Sequence, residues 1–243
     1  MKMTRHWFSP ALGQEMGMAR WGHYGVPVLL FPTAGGDPEE VERMHLIGAL
    51  WPLIEGGRIK VYSCDSVAGR AWMERSGSPQ HLSWLQNQFD MYVASELAPA
   101  IFEDCGGADV PIFTAGASIG AFNAVATVCR HPDHFKLAIG MSGTYDLESW
   151  LDGEMTQDFY FSSPMHYLPN LGESEQLAAL RTCFIILATG QGGWENPDDS
   201  WRMAHVLGSR GVPNRVDLWS ENHHHDWPTW REMLPTYLDE LTD

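Results

Sequence analysis

The run PIFTAGASIGAFNAVATV, Pro111–Val128, changes character twice and sets the reading of everything around it. Pro-Ile-Phe-Thr-Ala is short, apolar and rich in aromatic and β-branched residues, the composition of a buried strand. Gly116-Ala117-Ser118-Ile119-Gly120 breaks it. Ala121–Arg130 then follows as a helix of small apolar residues that stops at His131-Pro132. Strand, tight Gly-x-Ser-x-Gly turn and helix together form a nucleophile elbow. The two glycines serve a sharp turn that has almost no room for side chains. The turn holds the Ser118 hydroxyl clear of the sheet edge. It also aims the Ile119 N–H, at the head of the helix, at the place where an oxyanion would form. A bare Gly-x-Ser-x-Gly occurs often by chance; the flanking strand and helix give this one its meaning.

On the N-terminal side, residues 5–21 alternate loosely around a Pro-Ala-Leu-Gly turn and read as an antiparallel hairpin. Val26–Phe31 (VPVLLF) is a continuous apolar run, as in a strand covered on both faces. After Pro32-Thr33-Ala34-Gly35-Gly36, a helix is expected with Asp37 as N-cap, Pro38 in its first turn and Glu39 and Glu40 at its positive end. Val41, Met44, Ile47 and Trp51 would form its apolar face. Ile59–Cys64 is the next strand. Ser78-Pro79 open the longest helix, with Leu82, Leu85, Phe89, Tyr92, Val93, Leu97 and Ile101 at helical spacing until Gly106-Gly107.

On the C-terminal side, Leu137–Met141, Cys183–Ala188 and Arg215–Trp219 read as strands. Asn196-Pro197 open a helix that ends near Gly208–Gly211, and Pro228–Leu241 is a terminal helix expected to kink at Pro235. The pattern is α/β: a mostly parallel central sheet of about eight strands, helices on both faces, and an antiparallel start. At 243 residues, 1–243 reads as one domain. Residues 143–180 are irregular and rich in aromatic side chains, a candidate cap or pocket-lining insertion.

A net charge of −16 and a pI near 4.9 argue against nucleic acid or an anionic membrane as partner. No apolar run approaches the roughly 20 residues needed to span a bilayer. The N-terminal MKMTRHWFSP has no apolar signal core, so a cytoplasmic location is expected. Cys64, Cys105, Cys129 and Cys183 are scattered without C-x-x-C spacing, which disfavours a disulfide framework or structural zinc.

In this architecture reactive groups sit beyond the carboxyl ends of the strands. A serine nucleophile needs a base within reach and an acid to orient that base, in the chain order Ser, acid, His. Beyond RVDLW comes Ser220-Glu221-Asn222-His223-His224-His225-Asp226-Trp227. Three successive histidines cannot all face one way. His225, last before the terminal helix, is the first choice of base and His224 the second. Consecutive ligands suit a single metal ion poorly, so no metal and no cofactor is expected. Beyond CFIILA, three carboxylates compete for the orienting role. Glu195 leaves the strand before the helix, whereas Asp198 and Asp199 fall in a first helical turn where acids are favoured for the dipole alone. The turn after Val26–Phe31 should give a second oxyanion donor, Thr33 or Ala34. Trp72, Trp84, Trp150, Phe159, Tyr160 and Trp194 are candidates for the pocket wall, with Trp150, Tyr160 and Trp194 as the substrate-binding choices.

With these residues in place, the chain resembles α/β-hydrolases of the putative-esterase group that includes S-formylglutathione hydrolases, feruloyl esterases and mycolyltransferases. The likeness is carried by Gly116-Ala117-Ser118-Ile119-Gly120-Ala121, by Thr189-Gly190-Gln191-Gly192 leading to Glu195, and by His225-Asp226-Trp227 with Trp230. It spans the chain from about residue 25 onward, and His-Asp-Trp-x-x-Trp is its most group-specific part. The resemblance implies a Ser118–Glu195–His225 triad, with the N–H groups of Ile119 and of Thr33 or Ala34 as oxyanion hole. Two positions depart from the group: Phe31-Pro32 replaces a His-Gly or Asp-Gly pair, and the acid is Glu where Asp is usual. The activity expected is that of a serine carboxylesterase acting on a small ester, as a monomer or a homo-oligomer. An acyltransferase with the same triad and a non-catalytic binding protein on the same fold are the alternatives.

Overall fold

The computed structural model describes residues 1–107 and 110–242. Eight strands form one sheet: β1 (Lys2–Ser9), β2 (Gln14–Trp21), β3 (Val26–Phe31), β4 (Ile59–Cys64), β5 (Ile112–Ala117), β6 (Phe135–Met141), β7 (Phe184–Thr189) and β8 (Asn214–Leu218). Their order is β1-β2-β4-β3-β5-β6-β7-β8. β1 pairs antiparallel with β2, and β2 with β4; every later pairing is parallel. The expected hairpin and parallel sheet are therefore both present. The strand order reverses between β3 and β5, where Phe31 pairs with Gly116. Loops leaving two such strands diverge and open a crevice at their carboxyl ends. That crevice lies between the Pro32–Gly36 turn and Ser118.

Inner strands alternate their side chains between two cores because both faces are covered. Leu29, Phe31, Ile185 and Leu187 face one core; Val28, Leu30, Ile186 and Ala188 face the other. Helices α1 (Glu40–Arg43), α2 (Leu46–Glu55) and the terminal helix cover the second face. On the first face lie α4 (Pro79–Tyr92), α5 (Ala98–Asp104), α6 (Ile119–Arg130), α9 (Glu175–Leu180) and α10 (Pro197–Ser209). The short α3 (Val67–Glu74) sits beyond the strand ends and builds a third cluster from Trp72, Leu82, Ile119, Phe122 and Phe159.

Two helices expected as single pieces are divided. After the Asp37 turn, α1 ends and His45 adopts φ 61° before α2 begins. The break rotates the helix, so Leu46, Leu50, Leu53 and Ile54 are buried while Trp51 is 42 % exposed. The long helix passes through a π-helical turn, Val93–Leu97, between α4 and α5. Pro99 explains it: proline has no N–H to give and its ring crowds the preceding turn, so the ladder widens there. By contrast, the terminal helix α11 (Trp227–Leu241) continues through Pro235.

Residues 143–180 fold into short helices, including α7 (Gln157–Ser162) and α8 (Pro164–Tyr167). They are fastened to the body: Asn87 Nδ2 donates to Asp158 Oδ1 at 2.9 Å, and Arg130 donates to Ser162 Oγ at 3.3 Å. Among the described residues no helix is long and apolar enough to cross a membrane.

Candidate active site

β5 ends at Ala117, and Ser118 takes φ 57°, ψ −121° as the residue capping α6. This is a backbone region that L-residues occupy only under constraint. The constraint is close backbone contact. A Cβ on Gly116 would lie 2.3 Å from the Gly120 carbonyl oxygen, and one on Gly120 would lie 2.5 Å from the Phe31 carbonyl oxygen. Only hydrogen fits at either position. Gly116→Ala is therefore expected to destabilise the fold by about 3 kcal/mol or more, since no backbone atom there can yield; urea unfolding measures it. The Ser118 N–H donates to the Met141 carbonyl at 3.0 Å, which fixes the elbow to the end of β6. Ile119 is the first residue of α6, so its N–H has no partner within the helix.

Three loops meet at the ends of β6, β7 and β8, and the first of them is bonded to Ser118. Ser142 follows β6 with φ 48°, and its N–H donates to Ala188 of β7 at 2.8 Å. The loops after β7 and β8 are laced together by their backbones. Gly192 N–H donates to the His223 carbonyl at 3.0 Å, and His225 N–H to the Gly193 carbonyl at 3.1 Å. Glycine at 190 permits this, because a Cβ there would lie 2.0 Å from the His223 carbonyl oxygen. The lacing sets Glu195 and His225 on joined loops. Glu195 accepts from Ser142 Oγ at 2.5 Å on Oε1 and from Thr189 Oγ1 at 3.0 Å on Oε2. Ser142 Oγ in turn accepts from the Trp230 indole Nε1–H at 2.9 Å. The Trp230 ring meets His225 edge to face, with centroids 5.4 Å apart.

The His225 imidazole is partly buried, and loss of water lowers its pKa below the ordinary 6.5; the charges of Glu195 and Asp226 oppose that shift. His225 is therefore mostly neutral at pH 7, the form that can accept a proton. Its ring hydrogen-bonds to neither the Ser118 hydroxyl nor the Glu195 carboxylate, and Glu195 acts on it as the larger of the two charges that raise its pKa. Such contacts are commonly long in the absence of substrate and tighten when it binds.

The other candidates are placed elsewhere. His224 turns away, its Nδ1 accepting from the Gly193 N–H at 2.6 Å. His223 bridges Ser220 and Glu232 at 2.9 and 3.2 Å. Adjacent histidines thus diverge, and among the described residues no group of His, Cys, Asp and Glu could hold a metal ion. Asp199 is buried and paired with Arg202, whereas Asp198 lies exposed on α10. Of the three carboxylates, Glu195 is the one whose charge raises the His225 pKa.

Several expectations need correction. The Thr33 N–H is not free: it donates to Glu40 Oε2 at 2.8 Å while the Thr33 hydroxyl donates to Oε1 at 2.7 Å. Gly36 makes space for that carboxylate, since a Cβ there would sit 2.5 Å from Glu40 Oε2. Of the two N–H groups expected as donors, that of Ala34 makes no hydrogen bond. Trp194 is 95 % exposed, its ring standing in solvent rather than packed into a wall. Tyr160 packs against the first core, with its hydroxyl accepting from Asn170 Nδ2 at 3.1 Å. Trp150 leans on Trp72 at 6.2 Å in the cluster that includes Ala34 and Ile119, so it alone of the three lies beside the elbow. Ser142 and Glu40 carry no motif, and only their contacts reveal them; Thr189 lies in the Thr189-Gly190-Gln191-Gly192 turn, but its bond to Glu195 has no signal in the sequence.

The family model described as "Putative esterase" matches residues 56–241. A search of curated proteins finds no match. Among solved structures, a ferulic acid esterase superposes with a TM-score of 0.74 at 20 % identity, covering 100 % of this chain and 98 % of that one. An S-formylglutathione hydrolase from Agrobacterium tumefaciens gives 0.73 at 12 % identity, covering 99 % and 94 %. MPT51 (FbpC1) of Mycobacterium tuberculosis gives 0.69 at 18 % identity, covering 98 % of each chain. At these identities the likeness is one of fold, and the fold is that of the α/β-hydrolases expected above.

Proposed function

The chain belongs to the Putative esterase family and is a carboxylic ester hydrolase; on that premise we propose that it works through a Ser118–His225–Glu195 triad on a small ester. The observation that carries the reading is the elbow: Ser118 at φ 57° heads α6 between two glycines that nothing larger could replace. His225 takes the Ser118 proton as the hydroxyl attacks the ester carbonyl, and the Glu195 carboxylate stabilises the imidazolium that forms. The Ile119 and Ala34 N–H groups stabilise the tetrahedral oxyanion. Support for Ala34 comes from its packing: a Cβ on Gly69 would lie 3.3 Å from both Ala34 Cα and Ile119 Cγ2, so the two turns flank one spot. The imidazolium then protonates the departing alcohol. A water, deprotonated by His225, releases the acid and restores the serine.

The test combines covalent labelling with a substrate series. A fluorophosphonate should label the protein at Ser118, located by peptide mass spectrometry. p-Nitrophenyl esters of increasing acyl length should then be hydrolysed, with short chains preferred because Trp72, Trp150 and Phe159 already fill the space behind the elbow. Absence of labelling together with absence of turnover across the series would overturn the proposal.

A further inference from the structure

We infer that Ser142 is a positioning residue for the triad acid, its hydroxyl holding the Glu195 carboxylate in the orientation that serves His225. The inference rests on the esterase reading above and deepens it. Ser142 has no part in the motifs that identify the site, touches no reacting atom, and is only 3 % exposed.

The direction of its hydroxyl bond follows from its neighbours. An indole N–H can only donate, so Ser142 Oγ must accept from Trp230 Nε1, 2.9 Å away. An ionised carboxylate can only accept, so the hydroxyl hydrogen goes to Glu195 Oε1, at 2.5 Å. Trp230, Ser142 and Glu195 therefore form a one-way chain of donors ending on the carboxylate, and each bond polarises the next. Thr189 Oγ1 takes the other oxygen at 3.0 Å, so the carboxylate plane is set from both sides. The chain returns to the base as well, because the ring that supplies the indole N–H also lies against His225. One tryptophan thus registers both the acid and the imidazole.

The backbone points the same way. Ser142 holds φ 48°, a conformation that glycine would adopt with less strain. A serine there supplies the one thing glycine lacks, a hydroxyl. This gives an unusually clean variant: Ser142→Gly removes the hydroxyl while easing the backbone.

The experiment measures kcat, KM and the pH dependence of kcat/KM on one p-nitrophenyl ester for Ser142→Gly, alone and in a Glu195→Ala background. Alone, Ser142→Gly should lower kcat by about ten- to a hundredfold with KM changed less than about twofold, the pattern of a misplaced catalytic group. Glu195 and Asp226 are the charges that raise the His225 pKa against burial. A Glu195 that swings free raises it less, so the ascending limb of the profile should move to lower pH. In the Glu195→Ala background the same substitution should change kcat by less than about twofold, because it acts through a group already gone. Equal losses in both backgrounds, or a wild-type kcat and pH limb, would overturn the inference. Should Ser142→Gly fail to fold, Trp230→Phe decides: it deletes the indole N–H, keeps a ring against His225, and should lose kcat only while Glu195 is present. Fluorophosphonate labelling of Ser118 on the same wild-type preparation separates the two failures. A labelled, active enzyme indifferent to Ser142 sinks the positioning role alone, whereas activity that survives Ser118→Ala sinks the triad and this inference with it.

Discussion

Ser118→Ala should reduce kcat/KM for a short p-nitrophenyl ester by about four to six orders of magnitude and abolish fluorophosphonate labelling. The size follows from what is lost. Without the hydroxyl there is no acyl-enzyme, and the oxyanion donors alone recover only about 10³-fold over water. The substitution itself is mild for the fold: alanine must adopt the same φ of 57°, but serine carries that strain already. The expected result is a protein with an undiminished unfolding midpoint and no measurable turnover. A variant that hydrolyses the ester at the wild-type rate would remove the nucleophile from its role.

His225→Ala should cost nearly as much, about four orders of magnitude or more in kcat, because a serine hydroxyl is a weak nucleophile while its proton has nowhere to go. The same residue sets the pH dependence. The base works when neutral, so kcat/KM rises with pH through the His225 pKa and levels above it. Burial lowers that pKa below 6.5, so the ascending limb should have its midpoint below 6.5 and activity should persist into mildly acidic solution. Glu195→Gln removes the larger of the two opposing charges, so its limb should lie lower still. A midpoint above 6.5 in the wild type, or an upward move in Glu195→Gln, would contradict the electrostatics of this site.

The fold and the elbow at Ser118 were legible in the sequence because both are local. Period, length and punctuation gave the hairpin, the parallel strands and the elbow, since a strand covered on both faces must be apolar throughout and a sharp turn must contain glycine. The triad candidates could be placed by loop but not oriented. His223, His224 and His225 are neighbours in sequence, and their directions are set by lacing between the loops after β7 and β8, a contact that no single segment encodes. The same holds for the break at His45, where a continuous apolar pattern is divided between two helices; the π-helical turn before Pro99 is local, and its cause stood in the sequence.

The amino-acid order by itself determined the sheet, the strained serine and the identity of the family. Only the tertiary structure shows that Glu195, and not Asp198 or Asp199, takes the hydroxyls of Ser142 and Thr189 and adds its charge at His225, and that Glu40 takes the Thr33 amide. It alone places the Ser142 hydroxyl on the Glu195 carboxylate. The reason is physical: backbone conformation is chosen among near neighbours, whereas a hydrogen bond between strand ends depends on register across the sheet.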